Sequence, residues 1–357
     1  MNTSIYMYED LKKTAAKLLS SAGLKDEAAR VVAEILVEAD LMGHTTHGIN
    51  LLPAYVNELA SGGMRVQESL EIIQDNGSAV LWDGKYMSGI YLTYLAIQEA
   101  LERSKELPVV TYSIRRAHHI GCLAAYMPMI VEQGRLGILA ASDPNAQMVA
   151  PFGGKTPVYS PNPIAAGIPS GPQGPIIVDI STSVTAGGVV NRHRENGTPL
   201  PGEWLLDADG NPTNDPNATA GGRSGSMMPL GGLDAGYKGY ALGLIIEALT
   251  SGLGGYGRRE KPDNWGTSVY LQIINPEAFS GLSALEAEMG WLSEACRSAK
   301  PRPGYDEVRV PGDRALERKK QQLAEGVEVT GALMNKIRDL CISAGIETPQ
   351  AKDADNG

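Results

Sequence analysis

The segment Ala39-Asp40-Leu41-Met42-Gly43-His44-Thr45-Thr46-His47-Gly48-Ile49-Asn50 contains two of the five histidines of the chain and comes where an apolar-periodic helix must end. A second segment, Arg115-Arg116-Ala117-His118-His119-Ile120-Gly121, contains two more. Histidine titrates near neutral pH and is the usual general acid or base. Because both segments are short and end at glycine, we interpret them as two walls of one active site, with His47 and His119 as its candidate catalytic residues.

The composition is that of a globular protein. The chain has 357 residues, of which 43% are hydrophobic and 20% charged, enough to bury a substantial core. Its net charge of −10 and the lack of a Lys/Arg-rich run argue against nucleic acid and anionic membranes as partners. The N-terminus lacks the features of a signal peptide, and the longest apolar helix is interrupted by Glu247. We therefore expect a cytoplasmic protein that acts on a small molecule.

The cysteine and histidine patterns do not predict a metal centre. Three cysteines without C-x-x-C spacing argue against a disulfide framework or a structural zinc site. Four imidazoles could in principle bind zinc, iron or nickel, but the H-E-x-x-H pattern is absent. We therefore expect no metal at the four candidate ligands, which are His44, His47, His118 and His119.

Hydrophobic periodicity predicts the helices. Apolar residues near helical spacing predict helices over residues 6–21, 25–41, 88–103, 122–133, 237–250, 282–297 and 316–343. The helix over 237–250 is almost entirely apolar and contains Gly239 and Gly243, so we expect it to be closely packed in the interior.

Short apolar runs predict the strands, which are 80–82, 109–113, 136–141, 176–180 and 269–274. Residues 150–175 are rich in Pro and Gly and predict turns, and residues 191–230 predict a long surface excursion. We expect residues 347–357 to be a disordered tail. Because the middle of the chain interrupts the alternation of strands and helices, the pattern favours an α/β or α+β fold without a regular doubly wound order.

The standard nucleotide motifs do not explain this chain. One G-x-G-x-x-G match, residues 252–257, follows a predicted helix, whereas a dinucleotide fingerprint follows a strand, so we interpret it as a helix-ending loop. No phosphate-binding P-loop is present. Asp179 ends an apolar strand and either holds a ribose hydroxyl or caps the next turn. Lys238 either contacts a phosphate or carboxylate or lies in solvent at a helix start.

Taken in order, the motifs resemble those of the malate/L-lactate dehydrogenase-like NAD(P)-dependent oxidoreductases of the non-Rossmann type. Residues 39–48 look like the family's A-D-x-x-G-x-x-S-H-G, and His119-Ile120-Gly121 looks like its H-F-G. Further matches cover nearly the whole chain, at residues 150–154, 162–165, 179–183, 229–232, 238–240 and 310–313. Each motif is weak alone, but the ordered set is specific.

The resemblance implies an α/β fold with a largely antiparallel cofactor-binding sheet and a helical substrate domain. It places the helical domain at residues 1–76 together with 300–357 and the sheet domain at residues 77–299. It also implies a homodimer with the active site near the subunit interface.

The resemblance further implies which residues form the site. We expect His119, fixed by the preceding strand, to be the proton donor, His47 to hydrogen-bond the substrate, and Thr46 to orient His47. The segments implied to line the cofactor are His119-Ile120-Gly121, Asp179-Ile180-Ser181, Met227-Met228-Pro229 and Pro311-Gly312-Asp313-Arg314. The cofactor is NAD or NADP; Arg314 could meet a 2′-phosphate whereas Asp313 would repel one, which favours NAD.

Relatives usually carry serine where this chain has Thr46, which keeps a hydroxyl, and three further positions depart from the family pattern. Relatives often carry an arginine that clamps the substrate carboxylate where this chain has Leu51, a threonine where it has Pro161, and an arginine where it has Gly187. A leucine cannot replace a bidentate arginine, so we expect a substrate that is larger, less anionic or held by another cation. The candidate cations are Arg115, Arg116 and Lys238.

These observations predict an NAD(P)-dependent dehydrogenase or reductase that transfers a hydride between the cofactor and a small 2-hydroxy or 2-keto compound. One alternative is a cyclic-imine or imino-acid reductase, in which the same acid protonates nitrogen. Another is a catalytically inactive ligand-binding homologue, suggested by Leu51 and Pro161. That alternative is weakened because His47, His119 and Asp179 are all retained.

Overall fold

The computed structural model describes residues 3–220 and 225–352, in which twelve strands and ten α-helices are present. The strands are β1 (Thr3–Tyr6), β2 (Glu71–Asp75), β3 (Ala79–Asp83), β4 (Val109–Ala117), β5 (Leu136–Ser142), β6 (Ile164–Ile168), β7 (Ile176–Ile180), β8 (Leu205–Leu206), β9 (Pro212–Thr213), β10 (Ser226–Met227), β11 (Thr267–Ile274) and β12 (Val327–Thr330). The α-helices are α1 (Tyr8–Ser21), α2 (Asp26–Leu41), α3 (Leu52–Ser61), α4 (Gly89–Arg103), α5 (Met127–Val131), α6 (Gly187–Glu195), α7 (Gly232–Glu247), α8 (Leu282–Arg297), α9 (Asp313–Glu325) and α10 (Gly331–Ala344).

A seven-stranded sheet with the order β2-β3-β4-β11-β5-β6-β7 organises the fold. Neighbouring strands are antiparallel except β3 and β4, which are parallel and are connected through the crossover helix α4. Strand β11 pairs with β4 on one side and β5 on the other, and most of its residues are buried, as expected for a strand covered on both faces. The expected α/β fold with a largely antiparallel sheet is confirmed.

The helices at the two ends of the chain pack together beside this sheet. Helices α1 and α2 pack against each other, α1 also contacts α3 and α10, and α2 contacts α9. One hydrophobic core continues from these helices into the sheet and includes Leu36, Ile337 and Leu271. The structure therefore does not test the expected division into two domains, which remains a prediction. The helical domain was expected at residues 1–76 with 300–357 and the sheet domain at residues 77–299.

Two predicted helices differ in the structure. The helix expected over 316–343 is interrupted, because α9 ends where Gly326 adopts φ +103°, and β12 then pairs with β1 before α10 begins. The strand is only four residues long and is stabilised by a partner from the other end of the chain, so periodicity could not reveal it. The helix expected over 122–133 is a 3₁₀ turn followed by the short helix α5.

The Pro- and Gly-rich middle of the chain is more ordered than expected. Strand β6 lies inside the stretch predicted to consist only of turns. Residues 191–230 are also not only a surface excursion, because their apolar side chains form a second small core with those of neighbouring segments. The buried members of that core are Val149, Tyr159, Val190, Leu200, Leu205, Ala218 and Met227.

Helix α7 does not lie in the interior, contrary to expectation. Its glycines form the packing face: a Cβ on Gly239 would lie 2.4 Å from the Leu230 backbone, and one on Gly243 would lie 3.0 Å from Tyr159. The large apolar side chains are therefore on the opposite face, where Tyr237 and Leu244 are 52% and 51% exposed. The expected close packing of Gly239 and Gly243 is confirmed, but the expectation that the whole helix is buried is wrong.

Other expectations can be compared directly with the structure. The G-x-G-x-x-G match at 252–257 follows the end of α7 and not a strand, so the interpretation as a helix-ending loop is confirmed. All three cysteines are free. Among the described residues, no helix is both long and apolar enough to cross a membrane. Residues 346–351 form neither helix nor strand, and residues 353–357 of the expected disordered tail lie outside the described residues.

Candidate active site

The first wall of the site is the turn after α2. Helix α2 places Asp40 in the core, and its carboxylate accepts a hydrogen bond from the backbone N–H of Ile49 at 2.6 Å. Burial raises the pKa of Asp40 to about 7. A Cβ on Gly48 would lie 2.3 Å from the Asp40 carboxyl carbon, so only glycine fits there. Asp40 and Gly48 together hold the tight turn that presents His44 and His47.

The second wall follows strand β4. The backbone N–H of His118 donates to the Met87 carbonyl (2.9 Å), and Gly121 ends the segment with φ +70°. The His118 ring is fully buried, with its Nε2 3.2 Å from the carboxylate of Glu58. His118 therefore has a packing environment, whereas the half-buried His119 ring points toward the first wall.

The structure brings the two walls together. The rings of His47 and His119 are stacked with their centroids 5.9 Å apart and an interplanar angle of 21°. Thr46 Oγ1 lies 3.0 Å from His47 Nδ1, within hydrogen-bonding distance. Among the described residues, none hydrogen-bonds to His47 Nε2.

Two aromatic residues that the sequence analysis did not select support His119. The hydroxyl of the fully buried Tyr55 lies 2.7 Å from His119 Nδ1, and the backbone N–H of Gly121 donates to the same nitrogen at 3.3 Å. The Trp265 ring packs on His119, with centroids 4.9 Å apart. Tyr55 lies in the apolar sequence of α3, and Trp265 lies in a segment without helix or strand. Nothing in the sequence near either residue indicates a contact with histidine.

Burial makes the charged form of His119 unfavourable. Its pKa lies well below the ordinary value because of desolvation, with further lowering from the neighbouring His47 and His118. A backbone N–H can only donate, so Nδ1 of His119 must accept and the proton of the neutral ring is on Nε2. The pKa of His47 is also lowered by burial, but the carboxylate of Asp179 acts in the opposite direction.

Strand β7 carries Asp179 to the same region. Burial raises the pKa of Asp179, although the backbone N–H of Ala124 donates to its Oδ2 at 2.9 Å. Cys122 Sγ lies 3.6 Å from the same oxygen, and His44 is close enough to interact electrostatically. Asp179 therefore interacts with the histidine turn after α2 and with the residues that follow the second histidine segment, and among the described residues no hydrogen bond joins its carboxylate to the turn after β7.

Three of the four segments expected to line the cofactor lie in β7 or are hydrogen-bonded to β7 or to the residues that follow it. Three hydrogen bonds involve these segments: Asp179 Oδ2 accepts from the Ala124 N–H (2.9 Å), the Met228 carbonyl accepts from the Val184 N–H (2.9 Å), and the Pro311 carbonyl accepts from the Ile177 N–H (3.1 Å). Ile180 is 42% exposed at this junction, whereas Met227 and Met228 are buried in hydrophobic clusters. An exposed apolar side chain of this kind fits the face of a flat amphipathic ring such as nicotinamide.

The candidate substrate cations are not gathered at the histidines. Arg115 and Arg116 both bind the fully buried Asp83, with Nε to carboxylate distances of 2.9 Å, so each guanidinium is already paired with a carboxylate. Lys238 lies on the exposed face of α7, with its Nζ 5.8 Å from the centre of the Tyr237 ring. Leu51 is half-buried after the first wall, and the Pro161 carbonyl accepts hydrogen bonds from Thr182.

Comparison with known proteins identifies relatives over nearly the whole chain. The model of the malate/L-lactate dehydrogenase family matches residues 6–338. A malate/(S)-sulfolactate dehydrogenase of Methanothermus fervidus is 31% identical over 346 residues, covering 95% of this chain and 98% of the relative.

Solved structures give the same architecture. A malate dehydrogenase from Entamoeba histolytica superposes with a TM-score of 0.91 at 24% identity, covering 98% of this chain and all of the other. A delta1-piperideine-2-carboxylate reductase from Pseudomonas syringae pvar. tomato superposes with a TM-score of 0.82 at 26% identity, covering 94% and 99% of the two chains.

Proposed function

The chain belongs to the malate/L-lactate dehydrogenase family, and on that premise we propose that it is an NAD(P)-dependent oxidoreductase acting on a small 2-hydroxy or 2-keto acid. The observation that carries the proposal is the stacked pair of His47 and His119, which lies where the family motifs converge. A carbonyl reduced by hydride transfer needs a proton on its oxygen, and a positioned imidazole can supply it.

His119 acts as a neutral hydrogen-bond donor. Tyr55 and Gly121 hold its Nδ1 as an acceptor, so its Nε2–H is directed away from them with a fixed tautomer. The low pKa of the buried ring favours this neutral form. Such a group binds a carbonyl oxygen or a cofactor amide without changing its charge.

His47 is the proton donor in this proposal, in place of His119 as first expected. Thr46 orients its Nδ1, and its Nε2 has no hydrogen-bond partner among the described residues. The turn that carries it is held by Asp40 and Gly48, which keeps the ring in one place for proton transfer.

The residues around the end of β7 fit a nicotinamide cofactor. When bound, the cofactor supplies or accepts the hydride. Ile180 offers an apolar surface, the Met228 carbonyl is hydrogen-bonded to Val184 after β7, and the Pro311 carbonyl is hydrogen-bonded to Ile177 within β7. Gly312 lets the 311 loop approach β7, because a Cβ there would lie 2.9 Å from the Ile177 nitrogen.

Asp313 does not exclude NADP. Its carboxylate forms a bidentate pair with Arg297, at 2.7 and 3.0 Å, and also accepts the Val310 N–H. The negative charge that could repel a 2′-phosphate is therefore already compensated, and Arg314 beside it is exposed. We propose that the enzyme accepts both NADH and NADPH.

A direct assay tests the function. We expect consumption of NADH or NADPH with at least one compound from a panel of 2-keto acids, and measuring both cofactors in parallel gives their preference. Failure to bind either reduced nicotinamide by fluorescence would contradict the proposal. Binding without turnover would instead favour the inactive ligand-binding homologue.

A cyclic-imine reductase is the second candidate. It is favoured by the structural match to the piperideine carboxylate reductase. It is also favoured by Leu51, which stands where relatives often carry an arginine that clamps the substrate carboxylate. The same panel should therefore include cyclic imines matched in size to the keto acids. Higher kcat/KM on the imine would replace the first proposal by the second.

Replacing Tyr55 by phenylalanine is expected to weaken substrate or cofactor binding more than it slows turnover. The variant removes one of two hydrogen bonds that fix the His119 tautomer, so KM should rise up to about tenfold with a smaller change in kcat. His119→Ala should show the same pattern with a larger rise. The exposed Tyr305→Phe serves as a control, and a Tyr55→Phe variant that loses kcat at unchanged KM would contradict the role.

We also propose that the protein is a homodimer that uses the exposed face of α7. The apolar side chains of this face are contiguous at helical spacing, and a patch of this kind on a soluble protein marks an interaction surface. Its members are Leu233, Tyr237, Leu244 and Ile245, each more than half exposed.

Sedimentation of charged variants tests the dimer. Wild type should sediment as a dimer at micromolar concentration, and Leu244→Glu combined with Tyr237→Lys should shift it to monomer. Trp291→Glu is the matched control, because Trp291 is 68% exposed on α8 rather than on α7. A monomeric wild type, or a Trp291 variant that alone dissociates the protein, would contradict the proposal.

A further inference from the structure

Three potential metal ligands from separate parts of the chain meet beside the histidine turn. They are His44 in the turn after α2, Cys122 after β4, and Asp179 in β7. One ligand atom from each lies within 4.8 Å of the other two, and Cys122 Sγ and Asp179 Oδ2 are 3.6 Å apart. Cys122 is only 4% exposed, so its thiol is directed into the protein.

We propose that His44, Cys122 and Asp179 bind a divalent transition-metal ion of the zinc class, with a water molecule as the fourth ligand. A thiolate, an imidazole and a carboxylate together suit zinc or cobalt, whereas magnesium and calcium require oxygen ligands. This set uses one of the four histidines considered in the sequence analysis and adds two residues that spacing did not connect with it.

The spacing of the ligand atoms fits such an ion. Bond lengths of about 2.0–2.3 Å in a tetrahedral zinc site separate the ligand atoms by roughly 3.3–3.7 Å. The sulfur and the carboxylate oxygen already have this separation, and the imidazole reaches it by a movement of about 1.5 Å or less, within the range of a side-chain rotation.

The surroundings hold the ligands in place. The Ala124 N–H orients the Asp179 carboxylate, as hydrogen bonds from outside a metal's ligands commonly do. The backbone N–H of His44 donates to the Ala39 carbonyl at 2.8 Å, which anchors the turn to α2. A bound ion would cross-link this turn, the segment after β4 and the sheet. The inference goes beyond hydride transfer and does not depend on it.

Cobalt titration of the full-length protein provides the test. Co²⁺ bound by a cysteine thiolate gives a charge-transfer band in the near ultraviolet, and we expect this band to saturate at one equivalent. Cys122→Ser should abolish it, while Cys296→Ser and Cys341→Ser, at the other two free cysteines, should retain it. His44→Ala should weaken Co²⁺ binding at least about tenfold, with His193→Ala as the matched control.

Thermal stability gives a second readout without substrate or cofactor. Zn²⁺ that binds only the folded state should raise the Tm in a concentration-dependent way in wild type and much less in the His44→Ala and Cys122→Ser variants. Circular dichroism verifies that each variant is folded before titration. A Co²⁺ complex without a thiolate band, or equal binding by wild type and both variants, would show surface binding only and overturn the proposal. Because neither readout needs turnover, this failure is distinct from a failure of the dehydrogenase proposal.

Discussion

Replacing His47 by alanine is expected to lower kcat by about 10²–10⁴-fold, the usual contribution of a general acid, with cofactor affinity close to wild type. The ring stacks on His119 and is oriented through Nδ1 by Thr46, so its loss removes the proton donor without opening the core. Steady-state kinetics at saturating cofactor and substrate, together with NAD(P)H binding by fluorescence, measure the two effects separately.

The matched control for this variant is His193→Ala. His193 belongs to α6, its Nδ1 lies 3.0 Å from Thr198 Oγ1, and among the described residues no hydrogen bond or ring contact joins it to His47 or His119. We expect its kcat to be unchanged. If His47→Ala instead keeps its kcat and His119→Ala loses about 10²-fold or more, the proton donor is His119, as the sequence analysis first expected.

Replacing Asp83 by alanine is expected to destabilise the protein by about 3–5 kcal/mol, because it leaves two arginines without their shared buried partner. The carboxylate is fully buried and binds the Nε of both Arg115 and Arg116. Burial alone would raise the pKa of Asp83, but the hydrogen bonds from Arg116, the Lys85 N–H and Arg115 hold it below its usual range. Urea unfolding followed by circular dichroism measures the free energy of unfolding.

Asp75→Ala is the matched control for the buried pair. Asp75 also binds an arginine, Arg103, but its side chain is 35% exposed, so its loss should cost about 0–1 kcal/mol. Because Arg115 and Arg116 lie at the end of β4, just before the histidine pair of the second wall, the Asp83 variant should also lose activity per folded molecule. A free energy of unfolding equal to that of Asp75→Ala would show that the buried network does not stabilise the segment.

The sequence by itself determined the features that depend on neighbouring residues. Apolar periodicity predicted α2, and the run Leu136–Ala141 predicted β5. Each prediction was possible because the order of apolar and polar residues within an element indicates which of its side chains are buried. The histidine turn was recognised from its own spacing and from the glycine that follows it. The ordered motifs indicated the family, and the family model then matched residues 6–338.

Only the tertiary structure decided contacts between residues distant in the chain. The Tyr55 hydroxyl reaches His119 across 64 positions, and Cys122 lies beside Asp179 across 57, so no local pattern could reveal either pair. The same is true of the carboxylate of Asp83, which binds Arg116 across 33 positions and so already compensates its charge. Burial and hydrogen bonding set the charge state of each side chain, and these depend on the packing of several elements at once.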